Sequence, residues 1–107
     1  MTDVPTIKWL GASGAEYTYW IYPLGKTFTG PGNYIFAKET RPGYYAVIYV
    51  GETGDLSSRF NDHHRQECIS KNGATHFHVH RGSDDGQVRR NEETDIRNQW
   101  NPPCNRQ

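Results

Sequence analysis

The sequence is short of apolar residues, of net charge and of cysteine, and each shortage narrows what the chain can be. Apolar side chains make up 34% of the 107 residues, so a core has to be built from few, large groups. Aromatics reach 13% and supply them, since each buried ring removes roughly 150–250 Å² from water. Lysine plus arginine equals aspartate plus glutamate, at 12 each. That balance excludes the broad basic surface of a stand-alone duplex-DNA binder and leaves room for a local patch, a homodimer or a partner protein. Two cysteines, Cys68 and Cys104, are too few for a disulfide framework and match no zinc spacing, so reduced thiols in a cytoplasmic protein are expected. The start, Met1-Thr2-Asp3-Val4-Pro5, has neither a basic region nor an apolar run, so no secretory signal is expected. No apolar stretch approaches the roughly 20 residues of a membrane span, so no membrane partner is expected. With no internal repeat, low-complexity run or linker, residues 1–107 read as a single domain.

What is present is a series of short periodic segments. Residues 1–15 are mixed, with Gly11 and Gly14 near their end, and read as a loose lead-in. Residues 17–22 (YTYWIY) are β-branched and aromatic and predict a strand, followed by a loop marked by Pro23, Gly25, Gly30, Pro31 and Gly32. Residues 33–37 (NYIFA) predict a second strand, and Arg41-Pro42-Gly43 a turn. Residues 44–50 (YYAVIYV) form a continuous apolar run between Gly43 and Gly51, which predicts a central strand covered on both faces. Thr53 or Asp55 caps a helix expected to reach about Ser70, with Leu56 and Phe60 facing the core and Gly73 past its end. Residues 75–81 (THFHVHR) alternate strictly and predict a strand with Phe77 and Val79 inward. Ser83-Asp84-Asp85 caps a second helix that runs to about Trp100, where Pro102-Pro103 forbids more. Val88, Ile96 and Trp100 give it a thin apolar stripe, on which Glu92 also falls. The order is strand, hairpin, helix, strand, helix, an α+β fold with a small antiparallel or mixed sheet flanked by two main helices.

Within this frame four points stand in a particular order. Gly32-Asn33-Tyr34 opens the hairpin, and Tyr49-Val50-Gly51 closes it. Asp55-Leu56-Ser57-Ser58-Arg59 starts the next helix, with Arg59 ten residues after Tyr49. Glu93 is followed by Pro102 nine residues on and by Asn105 twelve residues on. Together these resemble the GIY-YIG nuclease superfamily over residues 32–105, as a small single-domain member. Each piece alone is common, and the joint spacing is what makes the likeness specific. Two positions depart from the pattern. Asn33 stands where the family has Ile, and Glu52 where several relatives carry a Lys that touches the phosphate.

The resemblance implies metal-dependent hydrolysis of phosphodiester bonds in a nucleic acid, DNA more than RNA, with Mg²⁺ or Mn²⁺ as cofactor. It implies catalytic roles for Tyr34, Tyr49, Arg59, His63, Glu93 and Asn105. Glu93 would hold the metal, with Glu92 as runner-up and Asn105 orienting it. Arg59 would grip the phosphate through its fork, and Gly51 would lie in the substrate site. His63, four residues after Arg59 and so about 40° from it around a helix, would act as acid, base or phosphate donor in place of the missing Lys. Tyr34 would take the proton from water and Tyr49 hold the phosphate or the water. Glu52 and the neutral charge also fit a non-catalytic module that kept the fold and binds nucleic acid or protein. Separately, His76, His78 and His80 share one strand face, where they either ligate zinc or form an exposed polar face. Arg81, Arg89, Arg90 and Arg97 either touch phosphate or are simply solvated.

Overall fold

A computed structural model describes residues 4–59 and 65–105, the side chains of Ser58 and Arg59 excepted. It is an α+β fold with a five-stranded, fully antiparallel sheet of order β1-β2-β5-β3-β4. The strands are β1 (Thr6–Leu10), β2 (Glu16–Pro23), β3 (Gly32–Arg41), β4 (Tyr44–Thr53) and β5 (His76–His80). A single 3₁₀ turn covers Leu56–Arg59, α1 spans Gln66–Lys71 and α2 spans Gly86–Trp100. Among the described residues no helix is long and apolar enough to cross a membrane.

Strands β3, β4 and β5 are covered on both faces, by two separate aromatic clusters. One face carries Tyr34, Phe36, Tyr49, Phe77 and Val79 with Leu56, Ile69 and Cys104 over them. The other carries Trp9, Tyr19, Ile35, Ala37, Val47 and Val50 with Ile96 of α2. Alternation along each strand divides the residues between the faces. A bulge between Phe36 and Ala37 leaves Ile48 without a partner of its own, so Ile48 and Tyr49 both reach the first cluster.

Several expectations are corrected. The lead-in is not loose: β1 pairs with β2, because Ile7 and Trp9 alternate toward the core and Gly11 to Gly14 turns the chain back. The apolar run of β4 marks an edge strand, not a central one; its faces are covered, but one side of its ladder is free of other strands. That side is met by the chain end, where Cys104 N–H donates to the Ile48 carbonyl at 3.0 Å. The Asn105 amide brackets Val50, accepting its N–H at 2.8 Å and donating to its carbonyl at 2.9 Å. Of the helix expected after Gly51, the described residues form a 3₁₀ turn at Leu56–Arg59 and α1 at Gln66–Lys71, and residues 60–64 lie outside them. Leu56 is fully buried as expected, while Phe60 lies outside the described residues. Gly73 takes the left-handed conformation past α1, at φ +77°.

The cysteines are likewise not free thiols. Cys68 of α1 and Cys104 form a disulfide, with Cα atoms 5.8 Å apart. Both segments pack over the same face beside β4, a proximity that a spacing of 36 residues does not reveal. The bond ties the chain end to α1 and so keeps the edge of β4 covered. Replacing both cysteines by serine should lower stability by on the order of 2–4 kcal/mol. The shift is read as a fall in the urea midpoint, with reduction of the native chain giving the same loss. An unchanged midpoint in both would show that the bond does not form.

Candidate functional site

The sequence-predicted residues fall into two groups. Tyr34 and Tyr49 share the first face, their ring centroids 6.2 Å apart. Tyr34 pairs across the ladder with Gly51, and this glycine makes room for the phenol: a Cβ there would sit 2.5 Å from the Tyr34 oxygen. Tyr34 stacks on Phe77 with centroids 5.7 Å apart and is only 2% exposed.

Glu93 belongs to α2, which lies against the opposite face and packs chiefly along β4. It is half-buried, and burial raises its carboxyl above the ordinary range; Arg97, 3.6 Å away, works against that, and the charge of Glu52 adds to it. Glu93 therefore lies on the flank of α2 nearest β4. Asn105 runs along the same strand edge. The phenols and Glu93 are thus on opposite faces of the sheet, and the edge of β4 is covered by Cys104 and Asn105. The side chain of Arg59, and all of His63, lie outside the described residues.

The two departures from the motif have structural partners. Asn33 is buried at 1% exposure and donates to the Arg89 carbonyl at 2.9 Å, so a polar group there is satisfied. Glu52 accepts from Arg89 Nε at 3.0 Å, an ion pair between β4 and α2. Its carboxylate is therefore engaged on the face away from the phenols.

Sequence reasoning missed a second polar cluster, under α2. Glu92 is 6% exposed. It accepts from the Tyr19 hydroxyl at 2.5 Å and pairs with His80 Nδ1 at 2.8 Å. Burial, then the charge of Glu92, pushes the Tyr19 phenol well up, so it stays protonated and donates. A signal was present, since Glu92 sits four residues before Ile96 on the inward stripe. The rest of that stripe is wrong: Val88 and Trp100 are exposed, and the buried positions are Arg89, Glu92 and Ile96.

The histidine strand is also corrected. Its imidazoles face α2, and His78 is fully buried, so they do not form an exposed polar face. Each ring has its Nδ1 engaged, His76 with Thr75 at 2.8 Å, His78 accepting from Trp9 Nε1 at 3.0 Å and His80 with Glu92, while His78 Nε2 is buried without a partner among the described residues. Among the described residues no three His, Cys, Asp or Glu side chains are grouped to hold a metal ion. No family model, curated protein or solved structure matches the chain.

Two outcomes follow from these contacts. Glu92→Ala leaves Tyr19 and His80 without their buried partner and should cost on the order of 3–5 kcal/mol in urea denaturation. A loss well under ~1 kcal/mol, the scale of an exposed pair, would show that the cluster is solvated. His78 is pushed by burial, then by the charge of His76, from 6.5 down to about 3. The unfolded chain takes up this proton below pH 6.5, and the folded chain not until about pH 3, so acid favours unfolding across that window. Stability should fall by about 2 kcal/mol from this group between pH 7 and pH 5, and His78→Gln should show a shallower slope.

Proposed function

We propose that this chain is a metal-dependent endonuclease of the GIY-YIG type, hydrolysing phosphodiester bonds in DNA or RNA. The observation that supports it is the assembly of three motif positions at one place: Tyr34 over Gly51, with the Tyr49 ring 6.2 Å away. Hydrolysis of a phosphodiester needs an oriented water, a proton acceptor and cations for the charge that develops.

In this reading the scissile phosphate is taken on the face of Tyr34 and Tyr49, and Glu93 has to come to it past the edge of β4 that Cys104 and Asn105 cover. Tyr34 orients the water and receives its proton, and Tyr49 holds a phosphate oxygen. A phenol is a poor base at neutral pH, so both need a cation beside them, the part that the motif gives to Arg59 and His63. Glu93 fits a Mg²⁺ or Mn²⁺ ligand: one carboxylate with waters and substrate oxygens is a common way to hold Mg²⁺, and a carboxyl whose charge is disfavoured by burial gains from a cation. The bound ion supplies charge neutralisation at the phosphate. Asn105 keeps β4 and its Tyr49 in register. The Cys68–Cys104 bond favours an oxidising compartment over the cytoplasm expected from the sequence.

A second reading, a non-catalytic module that binds nucleic acid or a partner protein, is favoured by the 2% exposure of Tyr34. Incubation with supercoiled plasmid, flap DNA and RNA, with and without Mn²⁺, separates the two. Under the first reading cleavage needs the ion and falls by on the order of 10²–10³ in Glu93→Ala and Arg59→Ala. Cleavage that neither substitution lowers removes the site assignment. Salt-sensitive binding with no cleavage leaves the second reading.

A further inference from the structure

The half of the sheet built from β1 and β2 has one covered face and one open face. Ile7, Trp9, Tyr17 and Tyr19 turn toward α2. The opposite face presents Thr6, Lys8, Thr18 and Trp20, all exposed, and Trp20 keeps 42% of its surface in water. The only carboxylate of these two strands on that side is Glu16, paired with Leu10 at the far end of the hairpin. Beside Trp20 a groove of about 240 Å³ is lined by Thr18, Trp20, Val79, His80 and Arg81. The Arg81 guanidinium lies over the Phe28 ring, 5.6 Å from its centroid. Among the described residues neither Lys8 nor Arg81 makes an ion pair.

The position of this face matters as much as its chemistry. Thr6, Trp20, Val79, Tyr34 and Gly51 are consecutive ladder partners, a row straight across all five strands. Their side chains lie on one side of the sheet, so Trp20 and Tyr34 share a face two strands apart, about 10 Å at the usual strand spacing. Phe28, with Arg81 on it, packs on Phe77 in the first cluster and so stands near the line between them.

We propose that the open face of β1 and β2 is a docking platform for a single strand of nucleic acid, with a base stacked on Trp20 and backbone phosphates on Arg81 and Lys8. It rests on the nucleic-acid reading above for its ligand and leads the strand toward Tyr34. Single-stranded substrate is favoured because the chain has no net positive charge to hold a duplex by its backbone. Stacking on an exposed indole needs an unpaired base and gains little from net charge.

The test uses the full chain in EDTA, with fluorescein-labelled oligothymidylate, oligouridylate and a duplex, each of about 12 nucleotides. The single strands should bind more tightly than the duplex, and the thymidylate and uridylate arms tell DNA from RNA. Trp20→Ala should weaken single-strand binding about tenfold or more, and Trp20→Phe should restore most of it. Arg81→Gln and Lys8→Gln should each lower the slope of log affinity against log salt by about 0.7. No binding, a preference for duplex, or Trp20→Ala binding like the native chain overturns the platform. Because no metal is present, the outcome is separate from the hydrolase reading. Mn²⁺-dependent nicking beside unchanged Trp20→Ala binding sinks the platform alone. Trp20-dependent binding without nicking upholds the platform and sinks only the hydrolase.

Discussion

The carboxylate of Glu92 has almost no contact with water, and its charge has to be met inside the fold. It is met by Tyr19 from β2 and His80 from β5, two neighbouring strands. One turn earlier on α2, Arg89 reaches Glu52 on β4, and its carbonyl takes the Asn33 amide of β3. Four strands are therefore tied to one helix by polar contacts, each of which fails if α2 slides or turns. A buried group left unpaired is far costlier than its net contribution when paired. These contacts set the orientation of α2 more strictly than apolar packing alone, since the described helix buries only one aliphatic side chain, Ile96. The rotation that aims Glu92 inward leaves Glu93 on the flank toward β4. The geometry of the proposed metal ligand thus follows from a structural neighbour.

Much of the fold was legible because its signals are local. Strand alternation, the Pro42-Gly43 turn, the Asp85 cap and the Pro102-Pro103 stop act over a few residues, and β2, β3, β5 and α2 lie within a few positions of expectation. The failures concern long-range partners. Residues 6–10 looked irregular because β1 has only two inward side chains, Ile7 and Trp9, and its meaning comes from β2. The apolar run of β4 resembled a central strand because both faces are covered, and face coverage and ladder position are independent. His78 alternates as an exposed residue would, yet Trp9, 69 positions away, supplies a buried donor.

The candidate site was legible in part. The likeness of Gly32-Asn33-Tyr34 and of Tyr49-Val50-Gly51 to the two halves of a nuclease motif pointed to the two phenols, and these do share a face with Gly51 beneath Tyr34. Spacing did not reveal that α2 covers the other face, because the side of a sheet on which a helix docks depends on the path of the connecting chain. Nor did it reveal the open face with Trp20: the strand pattern of residues 17–22 is the same whether one face or both are covered.

The Asn105 side chain does for one residue of β4 what a neighbouring strand would do. Its amide has a carbonyl and an N–H at nearly the separation of a peptide group, and it fills one place of the missing ladder at Val50. An uncapped edge of this apolar strand would invite another polypeptide to add to it. The Asn105 amide, with the Cys104 N–H beside it, therefore stands between this edge and a further polypeptide that would add to it.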